Sequence, residues 1–337
     1  MRMVLFPALL LGLMLGPAPA HSADKKKDQL VKPIAGPRAT ALRVTWLYIN
    51  PDKSSQKVDR VQPGRELVVA ERSNAWLRVY ANTDIELEHT SDQPIFGNDE
   101  TPTPISGWME ARGVVIETTP NGDQILMGSA ASQEVAANDP RGPVNAARTA
   151  RLLYRRLAEM YPDSPLAPAA AWRAADILWQ IQKADAASRP SAKEREPYLR
   201  DQMDEDGLKK VIKMYPGTRE ADLAAFELLD NKMCGDWQGT TKCPEKETDL
   251  FEKFANDHPD GPRTAQALYQ AVYRQAALVD MYKADEKQGK SDDAKAHAKQ
   301  LAARLKEKFP QSDYAWRASA LVYKLDEGVP VYGIDLQ

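Results

Sequence analysis

After its first forty residues, the chain has two regions that differ in the period at which apolar residues recur. Between residues 39 and 117, short runs of alternating apolar and polar positions end at Pro, Asp, Asn or Gly, as is typical of β-strands. The strands are predicted at Leu42–Ile49, Lys57–Val61, Glu66–Glu71, Trp76–Ala81 and Gly107–Val115. From residue 144 to 329 the apolar positions recur with the 3.6-residue period of helices. The sequence therefore predicts a multidomain protein, all-β followed by all-α.

The β-rich part is predicted to close on itself. Five short strands in so few residues favour a small β-barrel, because closure removes exposed sheet edges. A segment rich in Pro, Asp and Glu, residues 83–105, separates the last two strands and is predicted to be an insertion. Residues 118–143 hold the turn sequences Pro120-Asn121-Gly122 and Asn138-Asp139-Pro140, and are predicted to be a linker. Residues 330–337 are predicted to be a C-terminal tail.

The helical part contains a repeated signature, an aromatic residue or His followed by Pro. It occurs at Tyr161-Pro162, Tyr215-Pro216, His258-Pro259 and Phe309-Pro310, with spacings of 54, 43 and 51 residues. Three further positions align on the proline. They are an apolar residue five before it (Leu157, Val211, Phe254, Leu305), an alanine eight after it (Ala170, Ala224, Ala267, Ala318) and an aromatic residue ten after it (Trp172, Phe226, Tyr269), where the fourth copy has Ala320.

Simple stereochemistry explains this register. A helix ends before the proline, because the preceding residue is driven out of the α region. Turn and N-capping residues such as Asp163-Ser164 and Ser312-Asp313 then start the next helix. The alanine allows two helices to approach closely, and the aromatic residue fills the space between layers. Each copy is thus predicted to be a helix hairpin that stacks on its neighbours in an α-helical solenoid.

The first twenty residues have the layout of a secretory signal peptide. Arg2 is positive, Val4–Leu15 is apolar, and Ala18-Pro19-Ala20 places small residues before a cut at His21. The alternative is an uncleaved anchor, although a membrane span needs about 20 apolar residues. No cysteine follows the cut, so we expect an exported protein, periplasmic or extracellular, that is not a lipoprotein. Residues 21–38 are polar and are predicted to be a flexible spacer.

The two cysteines agree with export. Cys234 and Cys243 are separated by eight residues rich in Gly and Thr, so the segment can turn back on itself. In an oxidising compartment this pattern predicts a structural disulfide. A redox pair and half of a metal site are the alternatives, but redox motifs usually place two residues between the cysteines.

Composition and motif searches favour a binding protein over an enzyme. The formal net charge of −3 gives no basic face for nucleic acid. The four histidines are scattered without metal-ligand spacing, and no nucleophile elbow, phosphate loop or dinucleotide fingerprint occurs. His258 occupies the aromatic position of the repeat, which favours packing over catalysis. The sequence thus predicts no catalytic residue, no metal and no cofactor.

The β-rich part resembles the bacterial SH3-like (SH3b) domain. The resemblance rests on an ordered set of segments: Leu47-Tyr48-Ile49-Asn50-Pro51, Gln62-Pro63-Gly64, Asn74-Ala75-Trp76-Leu77 and Ser106-Gly107-Trp108-Met109. It implies binding of a cell-wall peptide or a protein ligand. Trp46 and Tyr48 share one strand face, and with Asn50, where the family often has Arg, they are the candidate ligand-binding residues. Trp76 and Trp108 fit a core position or a ligand platform.

The helical part resembles tetratricopeptide (TPR) repeats, in the variant of periplasmic outer-membrane-assembly lipoproteins. Leu152–Ile177 and Phe251–Ala277 carry the match, and insertions at 184–206 and 233–247 lengthen the repeats. The resemblance implies a protein or peptide partner in the concave face of the array. Together the two resemblances imply a non-enzymatic envelope protein that binds proteins, with peptidoglycan as a further ligand. The alternatives are a purely structural scaffold subunit and a wall hydrolase with an unrecognised site.

Overall fold

The computed structural model describes residues 35–84 and 104–332, which belong to one compact unit. A β-sheet is followed by helices, so the predicted order of an all-β and an all-α part is confirmed. The predicted signal peptide, residues 1–20, lies outside the described residues. The same holds for residues 21–34 of the spacer, for residues 85–103 of the insertion and for residues 333–337 of the tail.

The sheet in the described residues has seven antiparallel strands. They are β1 (Arg38–Ala41), β2 (Thr45–Tyr48), β3 (Lys57–Val61), β4 (Leu67–Ser73), β5 (Trp76–Ala81), β6 (Ile105–Glu110) and β7 (Val114–Ile116). Their order across the sheet is β3-β2-β6-β5-β4-β1-β7. The centre is the meander of β4, β5 and β6, in which Val79 lies opposite both Val69 and Gly107.

The predicted small β-barrel is wrong, and the reason lies in two interrupted strands. The strand predicted at 42–49 is observed as the shorter β2, which a break at residues 42–44 separates from β1, and the one predicted at 107–115 breaks into β6 and β7. At the breaks, the Leu42 N–H donates to the Gly113 carbonyl oxygen at 2.9 Å, and Gly113 has a φ of +82°. The detached pieces β1 and β7 pair with each other beside β4. The sheet of the described residues therefore runs from β3 to β7 as a row.

One face of the sheet forms a core of its own. Leu47, Leu77, Val79 and Met109 are fully buried, and they alternate with outward-facing residues along their strands. The edge strand β7 turns its Val115 instead into the first core of the helices.

Nine α-helices follow in the described part of the chain. They are α1 (Gly122–Ala137), α2 (Ala146–Met160), α3 (Ala167–Ser188), α4 (Asp206–Met214), α5 (Arg219–Glu227), α6 (Lys242–Asp257), α7 (Thr264–Ala284), α8 (Gln288–Lys308) and α9 (Asp313–Asp326). The helix α1 occupies most of the stretch predicted to be a linker, residues 118–143. Its Leu126 and Ala130 are fully buried in one core with Leu153 of α2, so this stretch is a packed element.

The four repeat copies correspond to the helix pairs α2–α3, α4–α5, α6–α7 and α8–α9, with the aromatic-proline signature between the helices of each pair. Both aligned small and apolar positions are buried in every copy: Ala170, Ala224, Ala267 and Ala318 at 0% exposure, and Leu157, Val211, Phe254 and Leu305 at no more than 4%. Full burial of these alanines agrees with the close helix contact predicted for them.

The aligned aromatic residues connect neighbouring layers. The Phe226 ring of α5 lies 5.2 Å from the Phe254 ring of α6, and the Tyr269 ring of α7 lies 5.6 Å from the Tyr314 ring of α9. Trp172 of α3 is half-buried beside the core of α4. In the fourth copy Ala320 is exposed, and Trp316 and Tyr323 on α9 are exposed as well.

The predicted disulfide is confirmed: Cys234 and Cys243 are bonded, and they close the loop between α5 and α6. Cys243 already belongs to α6, where it is buried. The loop also touches the other insertion, since the Gly235 N–H donates to the Glu194 carbonyl oxygen at 3.1 Å.

The sheet and the helices are joined by a buried polar contact. Arg156 of α2 and Asp84, just after β5, are both fully buried, and Arg156 Nη2 donates to Asp84 Oδ2 at 3.2 Å. The turn before β4 closes against the same helix. A Cβ on Gly64 would lie 2.5 Å from the Leu152 Cβ, so only glycine lets this turn approach α2.

Candidate binding surfaces

A cavity of about 320 Å³ lies between α3, α5, α6 and α7. We call it the helical groove. Its lining is Gln180, Lys183, Phe226, Glu227, Leu229, Asp230, Met233, Phe251, Arg263, Gln266, Gln270 and Arg274. The second helices of three consecutive repeats thus contribute to one site.

The floor of the helical groove is apolar. Phe226 and Phe251 face each other with ring centroids 6.2 Å apart, and Met233 packs on the same cluster. Phe251 and Leu229 are buried, whereas Phe226 and Met233 are half-buried. The floor therefore offers apolar and aromatic surface that a ligand side chain can still cover.

The cations of the helical groove differ in how they are compensated. Lys183 Nζ lies 2.7 Å from Asp230 Oδ2, and Arg274 Nε lies 2.7 Å from Glu247 Oε2. Arg263 Nη1 donates to the neutral Gln266 side chain at 3.0 Å, and its guanidinium lies 5.8 Å from the Phe226 ring centroid. Among these three cations, Arg263 is the one held by an amide rather than a carboxylate.

Glu227 is a carboxylic acid with an unusual proton affinity. Burial raises its pKa to about 8, and the charge of Asp176, a hydrogen bond to Asp176 and the charge of Asp230 add to the shift, while Arg263 opposes it. At pH 7 the group is therefore mostly protonated and neutral.

The disulfide loop supports one wall of the helical groove. Glu247 Oε1 accepts the Cys234 N–H at 2.8 Å, while Glu247 Oε2 accepts from Arg274. The Trp237 ring from the same loop lies 5.8 Å from the Arg274 guanidinium. The loop thus fixes an arginine that lines the groove.

A second surface is the outward side of the sheet. Trp46, Tyr48, Trp76 and Trp108 point away from the sheet core, and we call this set the aromatic sheet face. Tyr48 lies opposite Trp108 in the register of β2 and β6, and its ring meets that of Trp76 edge-on with centroids 5.6 Å apart. Outward positions of an antiparallel sheet are usually polar, so four aromatic residues here are unusual.

Cations surround the aromatic sheet face. Lys57 Nζ lies 4.5 Å from the Trp46 ring centroid, and the Arg60 guanidinium lies 5.4 Å from it. Arg78 lies opposite Trp108 in the register and is exposed. Trp46 is 38% exposed despite these neighbours. The face thus combines stacking surface with cations, of which Arg78 is paired with Glu71 at 3.4 Å.

The predicted ligand-binding residues fall in two places. Trp46 and Tyr48 lie on the aromatic sheet face together, whereas Asn50 lies in the β2–β3 loop, where its backbone N–H donates to Ser55 Oγ at 3.2 Å. Trp76 and Trp108, which fitted either a core or a platform, are half-buried on the outward side. Strand parity indicated the pair on β2, but only the register between strands brings in Trp76 and Trp108.

His258 has a structural environment. Its ring stacks on Phe254 with centroids 4.7 Å apart, and its Nδ1 lies 2.7 Å from Asp222 Oδ1. The contact with Asp222 connects the end of α6 to α5. Within residues 35–84 and 104–332, no group of three His, Cys, Asp or Glu side chains is placed to hold a metal ion, and no helix there is long and apolar enough to cross a membrane.

Comparison with known proteins assigns no family. No family model matches the chain, and no curated protein matches it. One solved structure that does match is titled "DHF119 filament"; it is 16% identical, and the alignment covers 61% of this chain and 94% of that chain. Its TM-score of 0.22 is too low to assign a fold.

Proposed function

We propose that this protein is a non-enzymatic binding protein of the cell envelope, and that it holds a peptide segment of a partner protein in the helical groove. The observation that carries the proposal is the lining of that groove. Phe226, Phe251 and Met233 form an apolar floor, and charged and amide groups surround it. Ligand sites commonly combine these features at volumes of about 300–1,000 Å³.

A peptide fits this lining better than a compact small molecule. Gln180, Gln266 and Gln270 carry both donors and acceptors, as a peptide backbone does. The groove is also built from three successive repeats, and arrays of helix hairpins offer extended surfaces to extended ligands. The resemblance to tetratricopeptide repeats supports the same role.

Two independent features support the proposed location in the cell envelope. The first is the signal-peptide pattern of residues 1–20. The second is the Cys234–Cys243 disulfide, which persists in oxidising compartments. N-terminal sequencing of protein from a native envelope fraction tests this part, and we expect it to begin at His21. An intact Met1 would contradict export by cleavage.

Peptide selection tests the groove. The full chain is screened against a display library of random 12-residue peptides, in parallel with Gln180→Trp, which places a large ring at an exposed lining position. The control is Gln300→Trp, a similar change at an exposed position of α8 outside the lining. We expect peptides that bind the wild type and the control but not Gln180→Trp. Selected peptides that bind all three proteins equally would reject the groove as the site.

A second candidate function is binding of a wall polymer by the aromatic sheet face. Four outward aromatic residues with adjacent cations are suited to stacking on sugar rings and to pairing with acidic groups. Sedimentation with purified peptidoglycan compares the wild type, Trp46→Ala and Trp316→Ala, an exposed tryptophan on α9. This function requires sedimentation that is lost in Trp46→Ala and kept in Trp316→Ala.

Two further alternatives have direct tests. A purely structural scaffold would co-purify stably with one envelope assembly in a native pull-down, and its groove variants would leave that assembly intact. A wall hydrolase would clear peptidoglycan in a zymogram run with the pure protein. Clearing would overturn the non-enzymatic proposal.

A further inference from the structure

The ionisable lining of the helical groove is unbalanced in favour of positive charge. Lys183, Arg263 and Arg274 line it as cations, while Asp230 and Glu227 are its carboxyl groups. Glu227 is mostly protonated at neutral pH, since its pKa is about 8. Asp230 is then the remaining negative charge of the lining, and it is paired with Lys183.

The excess charge can be located on one residue. Arg274 is neutralised from behind the lining by Glu247, which is itself buried. Arg263 donates one hydrogen bond to Gln266, and a guanidinium carries five N–H donors. Its remaining donors are suited to two parallel hydrogen bonds with a carboxylate.

Arg263 also stands beside the apolar floor. Its guanidinium lies 5.8 Å from the Phe226 ring centroid, and the ring centroids of Phe226 and Phe251 are 6.2 Å apart. A ligand carboxylate on Arg263 would therefore place a neighbouring side chain of the ligand over the aromatic floor. Charge and apolar contact are adjacent rather than at opposite ends of the groove.

We propose that the helical groove selects partner segments in which an acidic side chain lies next to a bulky apolar one, with the carboxylate on Arg263 and the apolar side chain on Phe226 and Phe251. This inference rests on the proposed function, because it names the class of peptide for the same site. It assigns to Arg263 the role of specificity-determining residue. Basic segments are disfavoured, because the positive charge of Arg263, which no carboxylate of the lining pairs, repels them.

The composition of selected peptides tests the proposal. The display library is screened against the full wild-type chain, and peptides that fail to bind Gln180→Trp are sequenced. We expect Asp or Glu beside Leu, Ile, Phe or Met to be enriched in them. Enrichment of Lys or Arg, or no charge preference, would overturn this inference and leave peptide binding intact. A screen that yields no groove-dependent peptide would overturn both.

A matched pair of substitutions identifies the residue. A selected peptide and its Glu→Gln or Asp→Asn derivative are titrated by fluorescence anisotropy against wild type, Arg263→Gln and Arg219→Gln, an exposed arginine at the start of α5 outside the lining. We expect the wild type and Arg219→Gln to prefer the acidic peptide about tenfold, as a charge-assisted pair would give. Arg263→Gln should bind both peptides equally. An unchanged preference in Arg263→Gln would reject the assignment.

Discussion

Glu247 and Arg274 form a buried ion pair between α6 and α7, in which Arg274 Nε lies 2.7 Å from Glu247 Oε2. Glu247 is 1% exposed and Arg274 8% exposed. We expect Glu247→Gln to destabilise the protein by about 3 kcal/mol, because it leaves a buried guanidinium without a counter-charge. Denaturant unfolding measures the difference.

A solvent-exposed ion pair on the same helix, α6, serves as the control. Lys253 and Asp257 of α6 form an exposed pair at 2.7 Å, so Asp257→Asn should leave the unfolding free energy nearly unchanged. The double change Glu247→Gln with Arg274→Met should recover part of the loss. Equal effects of the buried and exposed single changes would contradict a structural role for the pair.

The disulfide should contribute a similar amount. Replacing both cysteines, Cys234→Ser with Cys243→Ser, should lower the unfolding free energy by about 2–3 kcal/mol, since a short closed loop restricts the unfolded chain only modestly. The Trp237 ring of this loop packs against the Tyr273 ring of α7, with centroids 6.2 Å apart. The fluorescence of Trp237 should therefore change in the folded variant. An unchanged Trp237 emission would argue against a role of the disulfide in holding this ring in place.

The aligned alanines give a packing test. Ala267 is fully buried, whereas Ala320, two positions after the aligned alanine of the fourth copy, is exposed. Ala267→Leu should destabilise by about 1–3 kcal/mol, because extra methyl groups cannot fit a close-packed contact. Ala320→Leu should stay within about 0.5 kcal/mol. The two thermal unfolding curves compare them directly, and similar shifts would reject the close helix contact.

Glu227 predicts a pH dependence with a definite sign. Its folded-state pKa of about 8 lies above the ordinary value of 4.5 for a glutamate, so between these values the folded state holds a proton that the unfolded state has lost. Stability is therefore reduced progressively as the pH rises from 4.5 to 8. Glu227→Gln removes this loss, and its gain in melting temperature over wild type should be larger at pH 9 than at pH 5. An equal difference at both pH values would contradict the raised pKa.

A glycine pair tests the joint between sheet and helices. Gly64 and Gly239 both have a positive φ, +80° and +75°, but only Gly64 has an atom of another element within reach of an added Cβ. Gly64→Ala should cost about 2 kcal/mol or more, from backbone strain and overlap with Leu152. Gly239→Ala adds the strain alone, about 1 kcal/mol. Chemical denaturation distinguishes them, and equal losses would exclude a tight contact at Leu152.

The sequence predicts what local chemistry determines. The helix pairs follow from prolines and from a 3.6-residue period, both of which act within one turn or two. The prediction of a barrel was wrong because closure of a barrel depends on pairing between distant strands. The strand predicted at 107–115 is interrupted at Gly113, which has a positive φ. The helix α1 was likewise not predicted, because the turn residues on both sides of it indicated a linker. Gly122 fits beside the Tyr161 ring, a contact that no local pattern reveals.

The same distinction between local and long-range determinants applies to the two candidate sites. Trp46 and Tyr48 share a strand, so parity predicts their common face. The helical groove takes Lys183, Arg263 and other side chains from helices many residues apart, and its assembly depends on how successive pairs stack. The raised pKa of Glu227 likewise comes from its burial between helices and from the charge of Asp176 of α3.

The Asp84–Arg156 contact has a consequence for two ligands at once. Because the sheet packs on α2, the aromatic sheet face and the helical groove belong to one compact unit, which sets the distance between them. A partner that reaches both surfaces therefore meets a bivalent receptor whose second contact is intramolecular. Its avidity depends on whether the spacing within the partner matches that distance, so a linker of the wrong length in the partner would abolish the gain without altering either individual contact.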